Sequence, residues 1–202
     1  MRFISKLLFV AAATAPLASL ATVFTFDLQG KGGFGLLPGN ENFTVNGAAG
    51  SGGELGSGIL FDDVTNVLTL NVGWGSGNSF TDLTGRVTGV HIHNSNTSSA
   101  DTGTAAFLRN GGVVVNFPNI NTYTVNGSGS FGSVTGFSVL SDANETSLFA
   151  GQLYFNVHTS LNSGGEIRGN LVNPTAIPEP SAFAAFAGLA GLALAASRRR
   201  RA

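Results

Sequence analysis

All three histidines of the chain lie in two short segments whose residues alternate between apolar and polar. The first is residues 90–93 (VHIH), and because successive side chains of a strand point to opposite faces, His91 and His93 share one face. His158 ends the second segment, where the apolar residues again fall on the opposite face. Two imidazoles at positions i and i+2, joined by a third from a neighbouring strand, can bind zinc or copper. The sequence therefore predicts a candidate metal site of His91, His93 and His158.

A second interpretation of the same residues needs no metal. Alternation places Asn156 on the face of His158, and Glu166 and Arg168 follow on the next predicted strand. Polar side chains on neighbouring strands can satisfy one another in a cross-strand hydrogen-bond network. The three histidines, Asn156, Glu166 and Arg168 would then form a polar network with no cofactor. The sequence leaves both interpretations open.

The elements that must position these residues are predicted to be strands. Short runs rich in Val, Phe and Leu are separated by Gly, Asn, Ser and Thr, as in β-domains with many turns. Between residues 22 and 177 no stretch has a helical period, and we interpret the glycine-rich spans 30–35, 47–58 and 127–136 as loops. About eight or nine strands indicate one all-β domain, an Ig-like or superoxide-dismutase-like sandwich or a flattened barrel. The predicted strands are 22–28, 58–61, 67–74, 87–93, 112–117, 123–125, 137–140, 152–158 and 166–172.

Composition and charge exclude several functions. The chain has no cysteine, so a disulfide framework or a thiolate metal site cannot form. Residues 22–177 carry four basic and ten acidic side chains, a net charge of −6. Phosphate backbones would repel such a domain, so we do not expect it to bind nucleic acid. No nucleophile-elbow or phosphate-loop motif is present, and we expect no enzyme activity and no catalytic residues.

The N-terminal segment, residues 1–21, has the three parts of a secretory signal peptide. Arg2 and Lys6 form a basic start, residues 7–13 are apolar, and Ser19-Leu20-Ala21 is a small-x-small cleavage site. We therefore expect a signal helix that signal peptidase removes, and export of the domain that follows.

The C-terminal segment, residues 178–202, also has three parts. Pro178, Glu179 and Pro180 precede an apolar run at 181–196, and arginines occupy 198–201. As a helix the run would be about 24 Å long, slightly short for a hydrocarbon core of about 30 Å. This order resembles the PEP-CTERM sorting signal, which implies recognition and removal by the membrane enzyme exosortase in Gram-negative bacteria that make exopolysaccharide. The alternative is a plain C-terminal transmembrane anchor.

The middle of the chain resembles the CHRD domain, named after chordin. The resemblance lies in residues 152–171 (QLYFNVHTSLNSGGEIRGNL), in the VHIH segment, and in residues 61–74 (FDDVTNVLTLNVGW). It covers roughly residues 22–172 and implies a non-enzymatic extracellular β-domain. We therefore expect an exported protein of the cell surface or extracellular matrix, with exopolysaccharide or surface proteins as partners. The alternative function is binding of zinc or copper by the three histidines.

Overall fold

The computed structural model describes residues 22–30, 32–38, 47, 49–95, 111–117, 123–126, 129–177, 188–194 and 197. These residues form eleven strands, the α-helix of the domain, a short 3₁₀ helix at Ser76–Asn78 and a helical stretch at 188–194. In chain order the elements are β1 (Val23–Gly30), β2 (Gly33–Phe34), β3 (Leu37–Pro38), β4 (Gly52–Asp62), β5 (Val67–Trp74), β6 (Val87–Asn94), β7 (Gly112–Asn116), β8 (Tyr123–Asn126), β9 (Gly132–Val139), α1 (Asp142–Phe149), β10 (Leu153–Thr159) and β11 (Ile167–Ile177).

The strands form one antiparallel sheet in the order β7-β6-β10-β11-β1-β4-β5-β9-β8, with the short strands β2 and β3 attached to β1 and β11. Its two end strands follow each other in the sequence, from Asn116 to Tyr123. Seven residue steps reach at most about 25 Å, whereas nine strands laid flat would separate the ends by about 38 Å. The sheet therefore curls into a nearly closed barrel, and the predicted all-β fold class is confirmed.

The core fills the barrel because inward-facing residues alternate along each strand. In β1 the buried side chains are Phe26 and Leu28, and in β10 Leu153, Phe155 and Val157 face the same interior. Most of the other core residues come from the remaining long strands: Ile59, Phe61, Leu68, Leu70, Val72, Trp74, Val90, Ile92, Val115, Val134, Ile167 and Leu171.

Helix α1 corrects the expectation that residues 22–177 contain no helix. Ser141 caps it by accepting a hydrogen bond from the backbone N–H of Asn144. The next residue after buried Leu148 is Phe149, whose ring packs edge-on against three phenylalanines, at centroid distances of 4.9, 5.7 and 5.8 Å. These partners are Phe24, Phe26 and Phe61. An eight-residue helix that packs through its last residues shows no helical period in its sequence, which is why the pattern missed it.

The glycine-rich spans are also corrected, because much of their length is strand. Residues 52–54 pair with β5, and the register of β4 then shifts between Glu54 and Ile59. Gly56 (φ 52°) and Gly58 (φ 68°) take the left-handed backbone conformation that this interruption requires. A Cβ on Gly52 would lie 2.5 Å from the carbonyl oxygen of Gly73 on β5. Glycine there permits close strand approach rather than forming a loop.

The predicted terminal segments fall largely outside the described residues. The signal segment 1–21 and the Pro178-Glu179-Pro180 motif lie entirely outside them. Of the C-terminal apolar run, residues 188–194 are helical, with Leu189, Leu192 and Leu194 exposed. Across the described part of the chain, no helix has both the length and the apolar character needed to cross a bilayer.

Candidate metal site

Pairing of β6 with β10 brings the three histidines together. In this register His93 lies opposite Tyr154, and His91 lies opposite Asn156. His158 is two residues beyond Asn156 on the same face, so it is the diagonal neighbour of His91. The ring centroids are 4.8 Å apart for His91 and His158, 5.4 Å for His91 and His93, and 5.8 Å for His93 and His158. One ring nitrogen from each residue lies within 4.8 Å of the other two.

The outer hydrogen bonds of two rings identify the nitrogens that face inward. Nδ1 of His93 bonds the carbonyl oxygen of Gly111 at 2.9 Å, and Nδ1 of His158 bonds that of Ser163 at 2.8 Å. A carbonyl only accepts, so each Nδ1 carries a hydrogen, and in the neutral form of each ring Nε2 carries the lone pair. Nε2 of His158 is buried and has no hydrogen-bond partner among the described residues.

In His91 the nitrogen that faces the cluster is Nδ1, not Nε2. Its ring forms a hydrogen bond with the side chain of Asn116. Nδ1 is buried, with no hydrogen-bond partner in the described part of the chain. The inward-facing set is therefore Nδ1 of His91 with Nε2 of His93 and His158. A histidine that binds a metal through one nitrogen usually donates its other N–H to a fixed acceptor, and all three residues fit that pattern.

The cluster keeps His91 uncharged at neutral pH. Burial is the largest cause that lowers the pKa of His91, followed by repulsion from His158 and His93. The hydrogen bond with Asn116 raises it slightly, and the resulting pKa is about 4. A neutral imidazole is the form that binds metal ions. The site is thus ready to bind a cation without first losing a proton from His91.

Next to the histidines, the same face of the sheet carries polar and aromatic side chains that are buried. Tyr154 and Arg168 are 0% and 2% exposed, and Asn170 is fully buried. The Tyr154 ring stacks on His93 at 5.0 Å with an interplanar angle of 9°, and the Arg168 guanidinium lies 3.5 Å from the ring centroid. Because β10 lies between β6 and β11, His93 and Arg168 approach Tyr154 from opposite sides. Arg168 also donates to the side-chain oxygen of Asn170 at 3.4 Å.

Glu166 belongs to a different hydrogen-bond group from the histidines. Its carboxylate accepts from the backbone of Thr84 and Gly85, from the Thr159 hydroxyl at 2.7 Å and from the Asn162 amide at 3.4 Å. Burial raises the pKa of Glu166, but these bonds outweigh burial and hold it below its usual value. These bonds anchor the turn before β11, and none of them joins Glu166 to a histidine.

The turn at residues 160–165 positions His158 from outside. It supplies the Ser163 carbonyl, and Gly164 accepts a 3.5 Å hydrogen bond from the Asn156 amide. Gly165 has φ 104°, and a Cβ there would lie 2.2 Å from Oδ1 of Asn156. Glycine is required at this position because the backbone is left-handed and abuts a buried side chain. Gly164 and Gly165 of the GGEIRG segment therefore fit the turn around Asn156, and the Ser163 carbonyl in the same turn holds the His158 ring.

Sequence reasoning grouped the three histidines but missed the outer hydrogen-bond partners of their rings. Asn116, Gly111, Ser163 and Tyr154 were not singled out as site residues. Backbone carbonyls leave no mark in a sequence, and only the strand register places Asn116 opposite His91. Strand alternation could have suggested Tyr154, which shares the face of His158.

The domain is an all-β barrel-like sheet that carries a three-histidine cluster on two adjacent strands. The sequence model of the CHRD domain family matches residues 36–171. The chain therefore belongs to the CHRD-domain family, and the match includes all three histidines. No curated protein and no solved structure matches the chain.

Proposed function

We propose that this protein is an exported, non-enzymatic CHRD domain that binds one zinc or copper ion through His91, His93 and His158. The observation that supports the proposal is the convergence of three imidazole nitrogens within 4.8 Å, with the outer nitrogens of His93 and His158 committed to carbonyl acceptors. No reaction is assigned to the site.

A cation explains this arrangement better than a polar network does. Three lone pairs that face one another repel unless a donor lies between them, and protonation of His91 is disfavoured by burial and by the other two rings. Tetrahedral zinc with nitrogen ligands at about 2.0–2.1 Å places those nitrogens about 3.3 Å apart. Metal binding would therefore draw the nitrogens together from their present spacing of up to 4.8 Å.

The donor set also narrows the choice of metal. Calcium and magnesium prefer carboxylate and carbonyl oxygens, whereas imidazole suits zinc and copper. Glu166, the buried carboxylate nearest in sequence to His158, has its oxygens engaged by Thr84, Gly85, Thr159 and Asn162. Zinc or copper bound by neutral imidazoles is therefore the proposed state.

Elemental analysis of the protein purified without metal-affinity chromatography tests this function. We expect about one zinc or copper per chain after loading and dialysis, and less than one tenth of that in the His91→Ala/His93→Ala variant. Asn71→Ala is the control. It removes the hydrogen bond that Thr135 on β9 donates to Asn71 on β5, away from the histidines. Wild-type protein that folds but retains no metal would refute the proposal.

The destination of the domain is a second part of the proposal. The signal-like segment 1–21 supports export, and the Pro178-Glu179-Pro180 motif, apolar run and arginines support sorting by exosortase to the surface or matrix of a Gram-negative bacterium. The net charge of −6 in residues 22–177 suits a soluble module in an exopolysaccharide layer. Mass spectrometry of the mature protein should find its C-terminus near residues 178–180. An intact arginine cluster would instead indicate a plain membrane anchor.

A further inference from the structure

Strand β7 is a weakly held edge strand next to the histidine cluster. It is five residues long, ends the sheet path, and pairs with β6. Within the strand only Val115 is buried, while Val113 is 50% exposed. Edge strands with few buried contacts are the segments that open first in native proteins. Additional contacts should therefore change the stability of β7 more than that of a central strand.

Both ends of β7 are held by the outer hydrogen bonds of proposed metal ligands. At its C-terminal end Asn116 pairs with His91 in the strand register and bonds its ring. At the N-terminal end, the carbonyl of Gly111 accepts a hydrogen bond from His93. The backbone N–H of Gly111 donates to the Tyr154 hydroxyl at 3.2 Å. A register shift between Ile92 and His93 lets both ends of β7 meet the histidine face.

The same hydrogen bonds therefore serve two purposes. They hold β7 against β6, and they fix which nitrogen of His91 and His93 faces the cluster. A metal that binds the inward nitrogens favours ring orientations in which these outer bonds form, and such outer partners in turn strengthen metal binding. Because binding energies are reciprocal, an ion that is bound more tightly when β7 is docked must stabilise the docked strand by the same factor.

We propose that the metal ion locks β7 onto β6, so that β7 is a metal-responsive edge strand with Asn116 and Gly111 as its positioning residues. This inference rests on the proposed metal site. Without metal, β7 opens more often and exposes the hydrogen-bonding edge of β6 together with Val115 and Phe117. With metal the edge stays covered.

Hydrogen exchange of the full chain, with EDTA or with excess zinc, tests the inference alongside calorimetric titration of zinc. We expect amides of residues 111–117 to exchange at least about tenfold more slowly with zinc. The slowing should exceed that of β8, the edge strand at the other end of the sheet path, which pairs with β9.

Asn116→Ala should weaken zinc binding about 10–100-fold and reduce the zinc-dependent protection of β7, whereas Asn71→Ala should do neither. If zinc binds but β7 gains no more protection than β8, the inference is wrong and the metal site stands. Equal zinc affinity in the two variants would also overturn the inference alone. If zinc does not bind, the metal site and the inference both fail.

Discussion

Acid should destabilise the metal-free domain through His91. The pKa of this residue is lowered from 6.5 to about 4, so the folded state takes up the proton less readily than the unfolded chain. The stability that depends on neutral His91 is fully present above the pKa of His91 in the unfolded chain. It is lost as pH falls towards the pKa of His91 in the folded protein. At about 1.36 kcal/mol per pKa unit the limit is about 3 kcal/mol, and partial exposure of the ring reduces this to about 2 kcal/mol.

Urea unfolding at several pH values between 7 and 4, in EDTA, measures this contribution. His91→Gln removes the titrating group, so its free energy of unfolding should fall less with acid than that of the wild type, by about 2 kcal/mol over this range. Carboxylates titrate in both proteins and cancel in the comparison, and Asn71→Ala should keep the wild-type dependence. If the free energy of unfolding fell equally with pH in the wild type and in His91→Gln, this would refute the argument that the three rings converge on a buried point.

Two further substitutions test the parts of the fold that support the site. Gly165→Ala should lower the free energy of unfolding by about 2 kcal/mol or more, because φ is 104° and Asn156 blocks the new methyl group. The control is Gly112→Ala, which has open space around it and should change the free energy of unfolding by no more than about 0.5 kcal/mol. Phe149→Ala should cost about 2–3 kcal/mol through its three lost ring contacts, while Phe34→Ala, 70% exposed, should cost less than about 0.5 kcal/mol. Urea denaturation checks both pairs, and equal losses within either pair would contradict the packing described above.

Much of the histidine site could be predicted because strand alternation is a local property. Positions i and i+2 share a face in any strand, so His91 and His93 required no knowledge of tertiary structure. Bringing His158 to them required only that its strand pair with β6, which the structure confirms. The exact neighbours, however, depend on register between segments more than sixty residues apart in the chain. A shift of one residue would have placed His158 on the other face.

The remaining features depend on interactions that a sequence pattern does not carry. Tyr154, Asn156 and Arg168 fall on the polar face by alternation, yet all three are buried beside the site. Helix α1 was missed because its main contact is a single ring, Phe149, packed across phenylalanines from β1 and β4. Glycines in β4 were interpreted as a loop because close strand approach and loop flexibility favour the same residue.

X-ray absorption spectroscopy of the zinc-loaded protein tests the central claim most directly. Three histidine ligands predict a first shell with three imidazole nitrogens at about 2.0–2.1 Å, recognised by the multiple scattering of their rings. His158→Ala should lose one of them. A shell dominated by oxygen, or one unchanged in His158→Ala, would show that zinc binds elsewhere and would contradict the three-histidine site.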